Sequence, residues 1–132
     1  MNTIYLDNAA TTPIDKDVVE VMYQSMLTNN GNPSSTHQIG RQAKSSVETA
    51  RKNIAKQLNV TASEIVFTAG GTEADNLVLI NAVTNLSVQT IITSKIEHHA
   101  VLHTVNYLKK TYPIQVLYVD VNTKGIIDLT HL

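Results

Sequence analysis

The chain contains no cysteine and no tryptophan, and only one phenylalanine and three prolines. Without cysteine it forms no disulfide, offers no thiolate to a metal and carries no cysteine nucleophile. That absence suits a cytosolic protein, and we expect a cytoplasmic location. Charge of either sign is also scarce in excess. The formal net charge is −1 and no basic stripe stands out, so nucleic acid is not an expected partner. The longest aliphatic run, Leu77 to Ile80, is far too short to cross a bilayer, so no membrane association is expected. The start, Met1 to Asp7, lacks the basic and apolar regions of a signal peptide. No repeat, low-complexity tract, dinucleotide-type GxGxxG or Walker GxxxxGK[ST] is present.

What is present suffices for one modest core: 132 residues, 42% of them hydrophobic. Ile4-Tyr5-Leu6 is a short apolar, strand-like piece. The small polar stretch Asp7 to Pro13 follows, and residues 1–14 together read as an arm. Asp15 is a suitable cap for a helix carrying Val18, Val19, Met22 and Met26, which stops at the breaker cluster Asn29 to Pro33. After the polar loop Ser34 to His37, a long amphipathic helix is predicted. Ala43, Val47, Ala50, Ile54 and Leu58 line one side, and Arg41, Lys44, Arg51, Lys52 and Lys56 form a solvated basic side. Thr61 to Glu64 turns the chain into Ile65 to Thr68, read as a first strand. A helix to about Leu86 follows, then a second strand around Thr90 to Thr93. A helix with Val101, Val105, Leu108 and Tyr112 on one side leads to a third strand, Gln115 to Val119. Strands alternating with helices predict a parallel sheet with helical crossovers. The last residues, Ile126 to Leu132, remain apolar and read as a layer left unfinished.

Two strand ends carry polar signals where open α/β sheets bind ligands. At Gly70-Gly71-Thr72 a tight turn opens a helix, with Thr72 as the expected cap. Free N–H groups and the dipole there suit a phosphate or carboxylate. At Ser94 to His99 lie two adjacent histidines. His98 has three open roles: stacking on an aromatic ligand, acid–base work, or capping the helix. Adjacent His98 and His99 diverge by about 100°, whereas His99 and His103 are one turn apart and can converge. No third metal ligand shows itself, so no metal site is expected. His37 and His131 show no local partner, and neither a Ser–His–Asp order nor a carboxylate pair stands out.

Five blocks, in order, resemble the cysteine desulfurases. These are pyridoxal-phosphate enzymes of the class V aminotransferase superfamily, and the subgroup resembled serves iron–sulfur-cluster assembly and nitrogen fixation. The blocks are Tyr5 to Pro13; Gly31 to His37 with Gly40 to Ala43; Phe67 to Asn76; Thr93 to Leu102; and Gly125 to Leu129. The resemblance implies the large-domain fold of type I pyridoxal-phosphate transferases, here partial, with an arm at 1–14 and the beginning of that domain at 15–132. It implies pyridoxal 5'-phosphate as cofactor. Gly71 and Thr72 match the residues that bind its phosphate. His98 matches the histidine that stacks on its ring and is implicated in proton transfer. The family reaction converts L-cysteine to L-alanine and a protein-bound persulfide, passed to a cluster scaffold or a tRNA-thiolation enzyme. Relatives are homodimers.

The chain departs from that pattern at two places. The Schiff-base lysine and the nucleophilic cysteine lie well downstream in relatives. No lysine here sits in the matching context; Lys95 falls in a matching block but not at the Schiff-base position, and cysteine is absent. An N-terminal fragment, inactive alone and poorly soluble, is therefore expected. The alternatives are another class V enzyme, such as a selenocysteine lyase or an aminotransferase, and a non-catalytic truncated or split-gene product.

Overall fold

The structure, a computed structural model, describes residues 4–132, so the first three residues of the predicted arm lie outside the described residues. The described residues divide into two compact units, 4–66 and 67–132.

The first unit is helical. Helix α1 spans Lys16–Thr28 and is capped as expected: the Asp17 N–H donates to Asp15 Oδ1 at 2.9 Å. Helix α2 spans Gln38–Leu58. Its cap is His37, whose Nδ1 accepts from the Gly40 N–H at 3.3 Å, so the local partner that the sequence hid is the turn it starts. At its other end Asn59 adopts the left-handed conformation that asparagine tolerates, and its N–H closes on the last carbonyls. Gly40 is buried beneath the loop 32–36. A Cβ there would lie 2.5 Å from the Ser35 carbonyl oxygen and 2.7 Å from that of Asn32, so only glycine admits this close approach. Of the expected apolar side of α2 only Ala43 is buried, while Val47, Ala50, Ile54 and Leu58 are not; the helix's other buried residues are Gly40 and Ala55. Arg51 is not a free surface cation. It is half-buried, pairs with Glu48 at 3.3 Å and donates to the Ile65 carbonyl. Ala62–Glu64 forms a 3-10 turn, capped by Thr61 and closed by a capping box. The Thr61 N–H and hydroxyl both donate to Glu64 Oε2, at 2.8 and 2.7 Å.

One expected strand, and the strand-like piece of the arm, do not form a strand. Ile4 to Leu6 is irregular, and so is Ile65 to Thr68. Both have strand-like composition, but a strand exists only when its N–H and C=O groups find a neighbouring ladder, and neither segment has one among the described residues.

The second unit supplies the sheet. Helix α3 spans Gly71–Thr84, strand β1 Thr90–Ser94, helix α4 His99–Thr111 and strand β2 Gln115–Val119. The strands pair in parallel, Thr90 opposite Gln115 through Ser94 opposite Val119, with α4 as crossover. The sheet thus has two paired strands instead of three. Val105 and Leu108 of α4 are fully buried against Val83, Ile91 and Val116, with Leu79, Val101, Tyr112 and Tyr118 around them. On the sheet's opposite face the paired Ile92 and Leu117 stay 53% and 42% exposed. After β2, an isolated antiparallel bridge joins Val121 to Ile127 around a turn at Gly125, whose φ of 75° suits glycine. His131 also has a partner: its Nδ1 accepts from the Asp120 N–H and lies 3.1 Å from Asp120 Oδ2. Nearby, the Thr130 hydroxyl and N–H hold the Asp128 carboxyl below its ordinary range.

Candidate functional site

Both expected binding positions lie in the second unit, at one end of it. A five-residue connection joins the end of α3 to the start of β1, and a three-residue connection joins the end of α4 to the start of β2. The two helices therefore finish at the same edge of the parallel pair and begin at the edge where the strands finish. A hydrogen bond from the Thr104 hydroxyl to Asn76 Oδ1 ties them together. Asn76 and Thr104 each stand five residues into their helix. At 1.5 Å per residue, both helix starts project about 7.5 Å past this bond. Two positive dipole ends thus sit side by side at the carboxyl ends of the strands, where such sheets bind ligands.

At the start of α3 the cap is Gly70 and not Thr72, because the helix begins at Gly71 and leaves Thr72 as its second residue. Thr72 there presents its own N–H and hydroxyl outward. The N–H groups of Gly71, Thr72 and Glu73 have no helical acceptor, and none donates a hydrogen bond among the described residues. Beyond the adjoining backbone, nothing lies within 4 Å of where a Cβ on Gly70 or Gly71 would sit. Glu73 folds back, and its Oε2 accepts from the Ala69 N–H at 2.6 Å. The carboxylate is engaged on the loop side of the turn. The concavity lined by Ala69, Gly70, Gly71, Thr72, Glu73 and Asn76 keeps its remaining donors for another anion.

At the start of α4, His98 is the cap. Its Nδ1 accepts from the Ala100 N–H at 3.1 Å. In the neutral ring that leaves the proton on Nε2 and fixes the imidazole by its other nitrogen. Capping was one of three roles open to His98, and it is compatible with the other two because the ring is exposed. The His98 and His99 ring centroids are 6.1 Å apart and those of His99 and His103 are 5.4 Å apart.

Sequence reasoning missed Glu73, Asn76 and Thr104. The readable signal was Thr104 itself, a hydroxyl on the otherwise apolar side formed by Val101, Val105 and Leu108. The arrangement provides a turn with open N–H donors and, at the same end of the sheet, an imidazole held by its Nδ1.

Residues 4–132 match the family model "Aminotransferase class-V", and the chain belongs to that family. It is 42% identical over 127 residues to the cysteine desulfurase IscS of Dictyoglomus turgidum, covering 95% of this chain and 32% of that protein. It is 44% identical over 126 residues to the cysteine desulfurase IscS of Methanosarcina thermophila, covering 94% and 31%. Among solved structures, a NifS-like protein superposes with a TM-score of 0.86 at 40% identity, over 94% of this chain and 34% of that one. An apo cysteine desulfurase from Thermococcus onnurineus NA1 gives 0.82 at 28% identity, over 97% and 32%. The chain spans about a third of the length of these relatives. The partial α/β fold is theirs, and pyridoxal 5'-phosphate is the cofactor expected of the family. The open turn at Gly70-Gly71 and the undonated N–H groups beyond it fit that cofactor's phosphate.

Proposed function

We propose that the chain is the N-terminal part of a cysteine desulfurase, with residues 1–14 as an arm and 15–132 as the start of the cofactor-binding domain. The reaction would convert L-cysteine to L-alanine and a protein-bound persulfide, for a cluster scaffold or a tRNA-thiolation enzyme. The carrying observation is the placement of the α3 turn and His98 at one end of the same two-stranded layer. Pyridoxal phosphate, when bound, supplies the electron sink that C–S cleavage needs. The N–H groups of Gly71 and Thr72 and the Thr72 hydroxyl would hold its phosphate. Glu73 keeps its charge turned to Ala69. His98 offers its ring face for stacking. With Nδ1 held by the Ala100 N–H, its Nε2 is the atom that holds or moves a proton.

These residues bind and orient; they contain no thiolate to take the sulfur. The 132-residue chain by itself is therefore inactive, and the complete activity belongs to a cytoplasmic homodimer of longer subunits. Exposed Ile92 and Leu117 support poor solubility of the chain alone. Intact mass of the protein from its source cells identifies the polypeptide to assay. With pyridoxal phosphate and L-cysteine, that protein releases alanine and the 132-residue chain releases none. Alanine and sulfide at enzymatic rates from the chain alone would overturn the division of labour. In the source protein, Thr72→Ala weakens cofactor retention, read by its absorbance during dialysis. Unchanged retention would remove Thr72 from the phosphate site.

A further inference from the structure

We propose that His99 and His103 form a two-histidine chelate for a divalent transition-metal ion of the zinc or nickel type, on the outer side of α4. The reading above assigns neither residue, and this inference does not rest on it.

His99 is the first residue of α4 and His103 lies one turn on, so their side chains share a face. Both are exposed, opposite the buried Thr104, Val105 and Leu108. Their ring centroids stand 5.4 Å apart with planes 32° from each other. An imidazole nitrogen binds zinc at about 2.0–2.1 Å, which puts a ring centroid about 3.2 Å from the ion. Two such rings at a tetrahedral angle are then about 5.2 Å apart. The observed centroid spacing is close to this distance. Neither ring makes a hydrogen bond among the described residues, so a nitrogen of each is available. His98 is not a third ligand from its present position, because its Nδ1 is committed to the Ala100 N–H. Water completes the shell, so the site is an open one.

Imidazole ligands with no thiolate favour zinc, nickel or copper over magnesium or calcium. The positive end of the α4 dipole opposes a cation here. That effect amounts to about a two- to fivefold loss of affinity and is screened by salt. Two coordinate bonds from a preformed pair exceed it.

The test is calorimetric titration of the protein with ZnCl2 and separately NiCl2, on the parent, His99→Gln, His103→Gln and the double variant. Exposed positions and a good helix former keep the fold, which far-UV circular dichroism checks. His131→Asn is the control histidine. The expected result is one ion per chain present in the parent and in His131→Asn. Each single variant weakens it by about tenfold or more, and the double variant does little further, because a chelate needs both rings. Histidine ring resonances should show His99 and His103 shifting together. Absence of saturable binding by both ions, or binding of undiminished affinity in either single variant, would overturn the proposal.

Discussion

Residues 67–132 and residues 4–66 are both rich in helix, yet they are held in different ways. In the former, Val105 and Leu108 are fully buried and five side chains from two helices and two strands form one apolar cluster. In the latter, only Gly40, Ala43 and Ala55 are buried, and α1 buries nothing although Val18, Met22 and Met26 recur at helical spacing. What holds α1 and α2 is mostly local: Asp15 and His37 at their starts, Asn59 at the end of α2, and the loop closed on Gly40. Amphipathic spacing makes a helix but does not cover it. The dense half is also the half that carries the open N–H groups of the α3 start and His98, whose proposed joint role needs a fixed mutual geometry.

The largest effect that tests this contrast is at Leu108. Leu108→Ala should cost about 2–5 kcal/mol, whereas Met26→Ala, at a side chain 69% exposed, should stay within about 0.5 kcal/mol. Equal shifts in urea midpoint would mean that α1 is packed as tightly as α4. Gly40→Ala comes next, at about 1–3 kcal/mol, because the new methyl meets backbone oxygen that has nowhere to go. Gly70→Ala, facing open space at an extended φ of 167°, should change stability little. If thermal melts rank these two the other way, the close approach at Gly40 is not what holds the loop. Asp15→Ala should cost about 1 kcal/mol and act on α1 alone, read as faster amide exchange in its first turn with α4 unchanged.

The smallest effect is a pH dependence in the lightly packed half. An ordinary glutamate titrates near 4.5, and the Thr61 N–H and hydroxyl lower the Glu64 value in the fold. A lowered folded value means that this stabilisation is fully present above the unfolded value. It fades as pH falls through the folded one. Glu64→Gln should therefore differ from the parent at neutral pH and converge with it in acid. A gap that persists at pH values below the folded titration would assign the turn's stability to something other than the carboxylate.

Much was legible beforehand. The bounds of β2, the Asp15 cap and the apolar side of α4 follow from spacing and capping chemistry, and the helix start at Gly71 from its two glycines. The capping histidines were less so. His37, for which no partner was expected, and His98 both close a helix start through Nδ1, a role for which histidine is not a leading choice. The isolated Ile65 to Thr68 reads as a strand by composition because composition reports what a pleated ladder favours, not whether a ladder is there.

The sequence by itself determined which segments are helical, that a glycine turn opens a helix with free N–H groups at Gly71, and that no thiol chemistry belongs to these residues. Those properties depend on side-chain type and spacing within a few residues. The tertiary structure alone decided that two strands pair and a third segment does not. It alone joined Thr104 to Asn76 across 28 positions, turned Glu73 away from the open N–H groups, and brought the α3 and α4 starts to one edge. Pairings and packing between distant segments are contacts that local pattern does not encode.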